Sequence, residues 1–293
     1  MNFWKMISKR WSRQEIASWG SLKKTAYIIL PLLIYFVVHD VAEILLWAGL
    51  NQLMLKSSEG INIFFMDHAY TVRGIVNGLA ILLGVAAIWG IVKKEIERSE
   101  RQGVFFTSTE RILTGYMFLG VFAFLASLGL NVLFNFLKFT ASSQSFANTA
   151  EAQFGVEFLT GIILYGIVSP FAEEAVFRGV IYNRMKRCFN YPIALVISAL
   201  LFGCYHGNVV QAAYGTILGV LIAYVYEKYD SFVAPVLFHS IANVGIFAIT
   251  YYDGLKKLSI PASVSIISVT LIGSIICFIY VRRIKYSEKS SEK

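Results

Sequence analysis

Residues 159–182 read LTGIILYGIVSPFAEEAVFRGVIY, an apolar stretch interrupted near its middle by two glutamates and an arginine. A helix needs about 20 mostly apolar residues to cross the hydrocarbon core of a bilayer, and this stretch is long enough. Ionisable side chains inside a span cost at least about 2.5–3.5 kcal/mol each, so each needs a partner, a water-filled cavity or a task. The stretch therefore predicts a membrane-spanning helix that carries a functional site.

The composition of the whole chain agrees with a membrane protein. Of its 293 residues, 57% are hydrophobic and 15% are charged, whereas soluble domains have about 45–50% and about 25%. A water-soluble enzyme and a disordered chain are therefore excluded. Apolar runs recur without a dividing linker, which predicts one integral-membrane domain over residues 1–293. It is an all-α polytopic helical bundle of about eight spans, at roughly 26–50, 72–92, 112–132, 159–182, 191–206, 212–226, 231–251 and 259–281.

The basic residues select an orientation for this bundle. If both termini face the cytoplasm, the inner segments hold 20 of the 26 Lys and Arg. The outer loops, together with Arg73 at the outer end of the second span, hold 5, and Arg178 lies within a span. Cytoplasmic loops are the ones enriched in Lys and Arg, so both termini are predicted to be cytoplasmic. The net charge of +8 is then explained by topology, and we expect no nucleic-acid partner.

Residues 1–25 form a basic N-terminal segment with two open interpretations. Trp4, Ile7 and Trp11 are spaced to share one face of a helix, as in an interfacial helix on an anionic inner leaflet. Alternatively, the segment is a basic anchor that flanks the first span.

The two glutamates of the quoted stretch are expected to have different surroundings. Glu174 and Arg178 are spaced i, i+4 and can form an ion pair on one helix face. Glu173 points about 100° away and has no cation of its own. A second buried carboxylate of this kind indicates a functional role.

Two histidine motifs follow this helix. Phe202 and His206 are spaced i, i+4, and so are His239 and Asn243 in the span at 231–251. A lone His or Asn in a span usually forms a hydrogen bond to a neighbouring helix. Imidazole, carboxylate and amide groups that converge can instead hold a water and polarise a carbonyl, as amide hydrolysis requires. The same set could bind a divalent metal.

The three motifs together resemble the CAAX protease and bacteriocin-processing (CPBP, or Abi) family of intramembrane endopeptidases. The pattern of that family is Glu-Glu-x-x-x-Arg, then Phe-x-x-x-His, then His-x-x-x-Asn, and this chain matches every motif position within about residues 160–250. The resemblance implies that the helices of 159–251 form the catalytic core. The first 150 residues match the family only as additional membrane helices.

The resemblance also implies roles for the motif residues. Glu173 is then the general base that, with His206, activates a water, and His239 and Asn243 stabilise the oxyanion. Supporting roles fall to Glu174, Arg178 and Phe202. The family is described both as a metalloprotease and as a metal-free glutamate protease. Two alternatives are therefore open: Zn²⁺ or another divalent metal on Glu173, His206 and His239, or a water held by hydrogen bonds.

The function that the resemblance implies is hydrolysis of a peptide bond in a membrane-associated protein or peptide. Prenylated or otherwise lipidated proteins are one substrate class of the family. Two other function classes are alternatives. One is a non-catalytic bacteriocin self-immunity or scaffold protein, and the other is a small proton-coupled transporter, which the absence of an evident inverted repeat disfavours. The expected location is the plasma membrane of a bacterium, as a multi-pass protein in the lipid bilayer.

Two further expectations concern depth and a second polar cluster. Helix rise places Glu173 and His239 about 12–13 Å, and His206 about 22 Å, from the cytoplasmic ends of their spans. A site in the inner half would suit a substrate that arrives from the cytoplasmic leaflet. The first span also contains a polar cluster formed by His39, Asp40 and Glu43. Its favoured interpretation is hydrogen bonding to neighbouring helices rather than lining of a cavity.

Overall fold

The computed structural model describes residues 3–9, 11–99 and 109–284, and these residues contain helices and no strand. In chain order the helices are α1 (Phe3–Ser8), α2 (Arg13–Ala17), α3 (Ser21–Lys56), α4 (Glu59–Asp67), α5 (Ala69–Ser99), α6 (Thr109–Phe136), α7 (Gln144–Phe154), α8 (Phe158–Cys188), α9 (Tyr191–Cys204), α10 (Val209–Tyr229), α11 (Val233–Tyr251) and α12 (Ile260–Arg282). A short 3₁₀ turn, Thr140–Ser142, precedes α7.

Seven helices of the described chain are long and apolar enough to cross a membrane: α3, α5, α6, α8, α10, α11 and α12. The remaining predicted span, 191–206, is α9, which has 14 residues and is shorter than the usual span of about 20. The protein is therefore an integral multi-pass membrane protein, and the predicted all-α polytopic bundle is confirmed with approximately the expected number of spans. The orientation of its termini stays a prediction.

Two predicted boundaries differ from the structure. The polar break predicted at 207–211 is shorter, because α10 already begins at Val209. The Asn208 side chain accepts a hydrogen bond from the backbone N–H of Gln211 and so caps the helix. Gly207 has φ of 75°, a left-handed conformation that glycine adopts without strain. At the other boundary, the span predicted to end at Tyr182 continues as α8 to Cys188.

The helices alternate in direction, which gives the bundle two ends. At the end where α3 begins and α12 finishes, here called the termini end, Tyr182 of α8 donates a hydrogen bond to Glu227 of α10. At the opposite end, here called the far end, α5 begins beside α7, and the Tyr70 hydroxyl donates to the Glu151 carboxylate. The loops that join the helices are therefore divided between the termini end and the far end.

The N-terminal segment packs against the protein at the termini end. Because α1 and α2 are separate helices, Trp4, Ile7 and Trp11 do not share one helical face. Ile7 and Trp11 are buried against the protein, and Trp4 is 55% exposed. The guanidinium of Arg184 in α8 donates a hydrogen bond to the Ile7 carbonyl. The predicted contact of residues 1–25 with the inner leaflet stays a prediction.

Helix α8 occupies the centre of the bundle. Every residue from 172 to 185 is buried, in contact with α3, α5, α9 and α11. Two π-helical segments, Leu164–Val168 and Ala175–Tyr182, flank the α-helical turns at Ser169–Glu174. Such segments are rare and often occur at functional sites, because they redirect the side chains that follow. The two glutamates therefore lie on a short regular turn at the centre of the molecule.

Candidate active site

Glu174 and Arg178 form the predicted ion pair. The Arg178 Nη1 lies 3.0 Å from the Glu174 Oε1, and both side chains are fully buried. Nη2 of Arg178 donates to the Gly219 carbonyl of α10 at 2.9 Å, and the guanidinium lies 4.4 Å from the centre of the Phe202 ring. The buried arginine thus ties α8 to α9 and α10, and one of the two carboxylates is neutralised.

Glu174 also orients His239. The Nδ1 of His239 lies 2.8 Å from the Glu174 Oε1. A carboxylate can only accept a hydrogen bond, so this contact assigns the Nδ1 proton to His239. The opposite ring nitrogen, Nε2, is then directed at Glu173, with 3.9 Å between Nε2 and Oε2.

His206 approaches Glu173 from α9. Its Nδ1 lies 2.9 Å from the Phe202 carbonyl oxygen, which fixes the proton on Nδ1. Its Nε2 lies 3.8 Å from the Glu173 Oε2. The depth mismatch expected for His206 is therefore absent.

The Glu173 carboxylate lies next to a gap bordered by hydrogen-bond acceptors. Its Oε1 accepts a hydrogen bond of 2.6 Å from the Ser169 hydroxyl, and its buried Oε2 has no hydrogen-bond partner. The distances of 3.8 and 3.9 Å to the two imidazole Nε2 atoms are too long for direct hydrogen bonds. A water in the gap can donate its protons to two of these three acceptors. The geometry therefore suits a held water.

The same three side chains are the predicted metal ligands. A tetrahedral zinc ion binds nitrogen and oxygen at about 2.0–2.2 Å, which separates two of its ligand atoms by about 3.4 Å. The observed separations of 3.8 and 3.9 Å are wider. The described residues contain no group of three or more His, Cys, Asp or Glu side chains arranged to hold a metal ion. As placed, these residues do not fit a metal, whose presence stays a prediction.

A cavity of about 560 Å³ adjoins the site. Phe202, His206, His239 and Asn243 line its deep end, and Glu173 lies behind the two imidazoles. Asn243 donates from Nδ2 to the Tyr165 carbonyl of α8 at 3.0 Å, which holds its amide beside the cavity. The structure thus brings together all four residues predicted to be catalytic and the three predicted to support them.

Sequence reasoning missed two contributors to the site. Ser169 binds the Glu173 carboxylate, and the Tyr165 carbonyl holds Asn243. Ser169 lies four residues before Glu173, so helical spacing could have indicated it. The partner of Asn243 is a main-chain carbonyl, for which the sequence carries no signal.

The second polar cluster lies outside the cavity lining. His39 contacts the Asp40 carboxylate through Nδ1 at 2.9 Å, and its Nε2 lies 3.4 Å from the Asn77 amide of α5. The contact with Asn77 agrees with the favoured interpretation, hydrogen bonding to a neighbouring helix.

Residues 155–245 match the family model described as type II CAAX prenyl endopeptidase Rce1-like. The chain is 25% identical over 178 residues to "Putative membrane peptidase YdiL" of Bacillus subtilis (strain 168), covering 61% of this chain and 71% of that protein. It is 33% identical over 97 residues to "UPF0177 protein YxdF" of Lactococcus lactis subsp. lactis (strain IL1403), covering 32% of this chain and 53% of that protein. No solved structure matches the chain. These matches confirm the resemblance predicted from the three motifs.

Proposed function

We propose, on the premise that residues 155–245 form the core of a CPBP-family protein, that this chain is an intramembrane endopeptidase using a glutamate-activated water. One observation carries the proposal. A buried carboxylate oxygen of Glu173 has no hydrogen-bond partner and faces the Nε2 atoms of His206 and His239 across a gap of less than 4 Å. An unpaired buried acceptor is costly, so a water or a substrate group is expected to supply the missing donor in this gap.

The first step is attack on the peptide carbonyl. A water in the gap donates one proton toward Glu173 and is oriented by the Nε2 of His206. As its oxygen bonds to the carbonyl carbon, the proton passes to the Glu173 carboxylate, which acts as general base. Ser169 holds the other carboxylate oxygen in place.

The second step is collapse of the tetrahedral intermediate. Asn243 has amide hydrogen-bonding capacity beyond its bond to the Tyr165 carbonyl, and we assign it and His239 to the oxyanion. Because Nδ1 already donates to Glu174, neutral His239 accepts from the held water at Nε2. It donates to the oxyanion only in its imidazolium form, after Nε2 has taken up a proton from the solvent. As the C–N bond breaks, Glu173 returns its proton to the leaving amine. Glu174 and Arg178 touch no reacting atom and are positioning residues.

A metal on Glu173, His206 and His239 is the competing mechanism. It would polarise the carbonyl and lower the pKa of the bound water. Metal analysis of the purified protein, with activity measured before and after chelation, separates the two. The metal-free mechanism predicts metal far below one equivalent per chain and activity that survives chelation.

The substrate class follows from the membrane location of the site. We propose a membrane-associated protein or peptide, with lipidated proteins as one class within it. Proteolysis is tested by comparing membranes from cells that express the wild type or Glu173→Gln at matched levels. Labelling of N-termini followed by mass spectrometry would reveal protein termini that appear only with wild type.

A matched control for this experiment is Glu43→Gln, which changes another glutamate of a spanning helix, outside the cavity lining. New termini that require Glu173 and persist in the control would support proteolysis. If both folded variants gave the same termini as wild type, the proposal would fail, and a non-catalytic immunity or scaffold role would be favoured.

A further inference from the structure

The cavity beside the site leads in one direction. From His206 and His239 it extends past the aromatic side chains of α6 and α7 to the loop after α11, where Asp253 and Lys256 lie at its rim. These elements all belong to the far end, because α6 and α11 finish there. The opening therefore lies on the side of the bundle opposite to the termini end.

The termini end is closed over the same site. All residues of α8 between Glu173 and Met185 are buried there. Asn183 donates hydrogen bonds to the Tyr226 hydroxyl of α10, and Arg184 binds Glu95 of α5. A peptide approaching from this side would have to break a buried polar network, which is costly because its charged groups would lose their partners. Access from the termini end is thus blocked in this structure.

The distribution of charge assigns the two ends to the two sides of the membrane. Among the described residues, the segments at the termini end hold 15 Lys and Arg, and those at the far end hold 5. By the positive-inside rule, the termini end is cytoplasmic and the far end is extracytoplasmic. The expectation of access from the cytoplasmic leaflet rested on the depth of Glu173, counted from Tyr182, and on that of His239, counted from Ser231. His239 still lies six residues from the start of α11. With α8 ending at Cys188, Glu173 is fifteen residues from either end of the helix.

The cavity lining indicates what kind of segment it accepts. About half of its lining residues are aromatic or aliphatic, and its two oppositely charged rim residues pair with each other, with 3.1 Å between Lys256 Nζ and Asp253 Oδ2. Amide side chains, among them Asn131, Gln153 and Gln211, can hydrogen-bond a peptide backbone. A volume of about 560 Å³ is typical of a pocket for a small ligand and holds a few residues rather than a folded domain.

We infer that the enzyme takes its substrate from the extracytoplasmic side, as a short, extended, uncharged segment with bulky apolar side chains. This inference rests on the proposed function and names the side and chemistry of its substrate. Cleavage sites are then expected in segments of membrane proteins or peptides that face outward, with aromatic or aliphatic residues near the scissile bond.

Helix α7 provides a test, because one of its faces lines the cavity. Phe146, Ala150 and Gln153 border the cavity, whereas Ser145 of the same helix is exposed and does not line the cavity. Intact cells expressing Gln153→Cys or Ser145→Cys are treated with a membrane-impermeant polyethylene glycol maleimide. The Glu173-dependent termini are then counted before and after treatment. Wild type, which keeps Cys188, Cys204 and Cys277, is treated in parallel.

The inference predicts that both introduced thiols react in intact cells. Only the adduct on Gln153→Cys should lower the termini to the level of Glu173→Gln, and the termini should map to outward-facing segments. Three outcomes would overturn the inference without affecting the proposal of proteolysis. They are reaction of the thiol at position 153 only after the cells are permeabilised, an adduct at that position that leaves cleavage intact, and new termini in cytoplasmic segments. Absence of Glu173-dependent termini in untreated wild type would instead overturn the proposed function.

Discussion

The Ser169 hydroxyl contributes one hydrogen bond to Glu173, the carboxylate that we propose as the general base. It donates 2.6 Å to the Glu173 Oε1, and neither side chain is exposed. A hydrogen bond to a charged group contributes about 1.5–3 kcal/mol, and about 1.4 kcal/mol corresponds to tenfold in rate. Ser169 is therefore a positioning residue for the general base.

Ser169→Ala is expected to lower kcat at least about tenfold while leaving KM unchanged, because Ser169 does not line the cavity. Ser169→Thr should restore most of the rate, since it returns a hydroxyl. Steady-state kinetics on a substrate identified from the wild-type termini checks both variants. A rise in KM with unchanged kcat would contradict this role.

The Arg178–Glu174 pair is expected to govern stability. Arg178→Met would leave the fully buried Glu174 carboxylate without a cation, and breaking a buried pair costs about 3–5 kcal/mol. The same substitution at the exposed Arg73 should change the free energy of unfolding by less than about 0.5 kcal/mol. Thermal unfolding of both variants in detergent measures the difference. Equal unfolding temperatures would refute a stabilising role for the pair.

Much of the site could be predicted at the level of residues, because its chemistry is carried by side chains at helical spacing. The Glu174–Arg178 pair followed from an i, i+4 relation within one helix. The contact between His239 and Glu174 joins residues 65 positions apart, so only the folded structure fixes it. Partners that are main-chain carbonyls, such as that of Tyr165, leave no mark in the sequence.

Among the helices, the α9–α10 hairpin positions His206 through a close backbone approach. A Cβ atom on Gly203 would lie 2.4 Å from the Ala212 carbonyl oxygen, a distance that forces the helices apart. Gly203 is three residues from His206, which follows the end of α9. The gap between His206 and Glu173 therefore depends on this small residue.

Gly203→Ala is expected to abolish most activity and to lower the unfolding temperature, since backbone atoms of α10 cannot move as freely as a side chain. Gly49 in α3 has open space around it, so Gly49→Ala should leave activity unchanged and stabilise by up to about 1 kcal/mol. Activity and unfolding temperature of the two variants provide the measurement. A fully active Gly203→Ala enzyme would contradict the close approach.

Helix existence was predictable from hydrophobicity, whereas helix ends were not. Residues 183–188 of α8 include Arg184, Lys186 and Arg187. The apolar pattern of the sequence stops before these charged residues and therefore predicts that the helix ends there. They continue the helix because Arg184 and Arg187 bind Glu95 and Lys186 binds Glu227. Tertiary pairing of charges therefore extended a helix that the apolar pattern alone terminates.

Across the bundle, Glu95 joins the N-terminal segment to α8. Its carboxylate binds Arg184 and Arg187, and Arg184 also donates to the carbonyls of Ile7 and Tyr27. This buried network connects α1, α3, α5 and α8. It closes the termini end of the bundle.

Glu95→Gln is expected to destabilise the protein by about 3 kcal/mol, because the buried guanidinium of Arg184 and the partly buried one of Arg187 lose their carboxylate. Glu97→Gln, two residues along the same helix, changes an exposed side chain 3.9 Å from Lys93 and should cost less than about 1 kcal/mol. Thermal unfolding at low and high salt compares them. If high salt removed the loss of stability equally in both variants, the effect of Glu95→Gln would be that of a surface charge rather than of a buried one.

The central claim is that Glu173 directs a water to a peptide bond. In the most direct measurement, purified wild type or Glu173→Gln is reconstituted in liposomes and incubated in H₂¹⁸O with an intact peptide that the wild type cleaves. The products are then analysed by mass spectrometry. We predict that wild type yields a new carboxyl terminus with one ¹⁸O and that Glu173→Gln yields none. Equal rates of ¹⁸O incorporation by the two proteins would contradict the account.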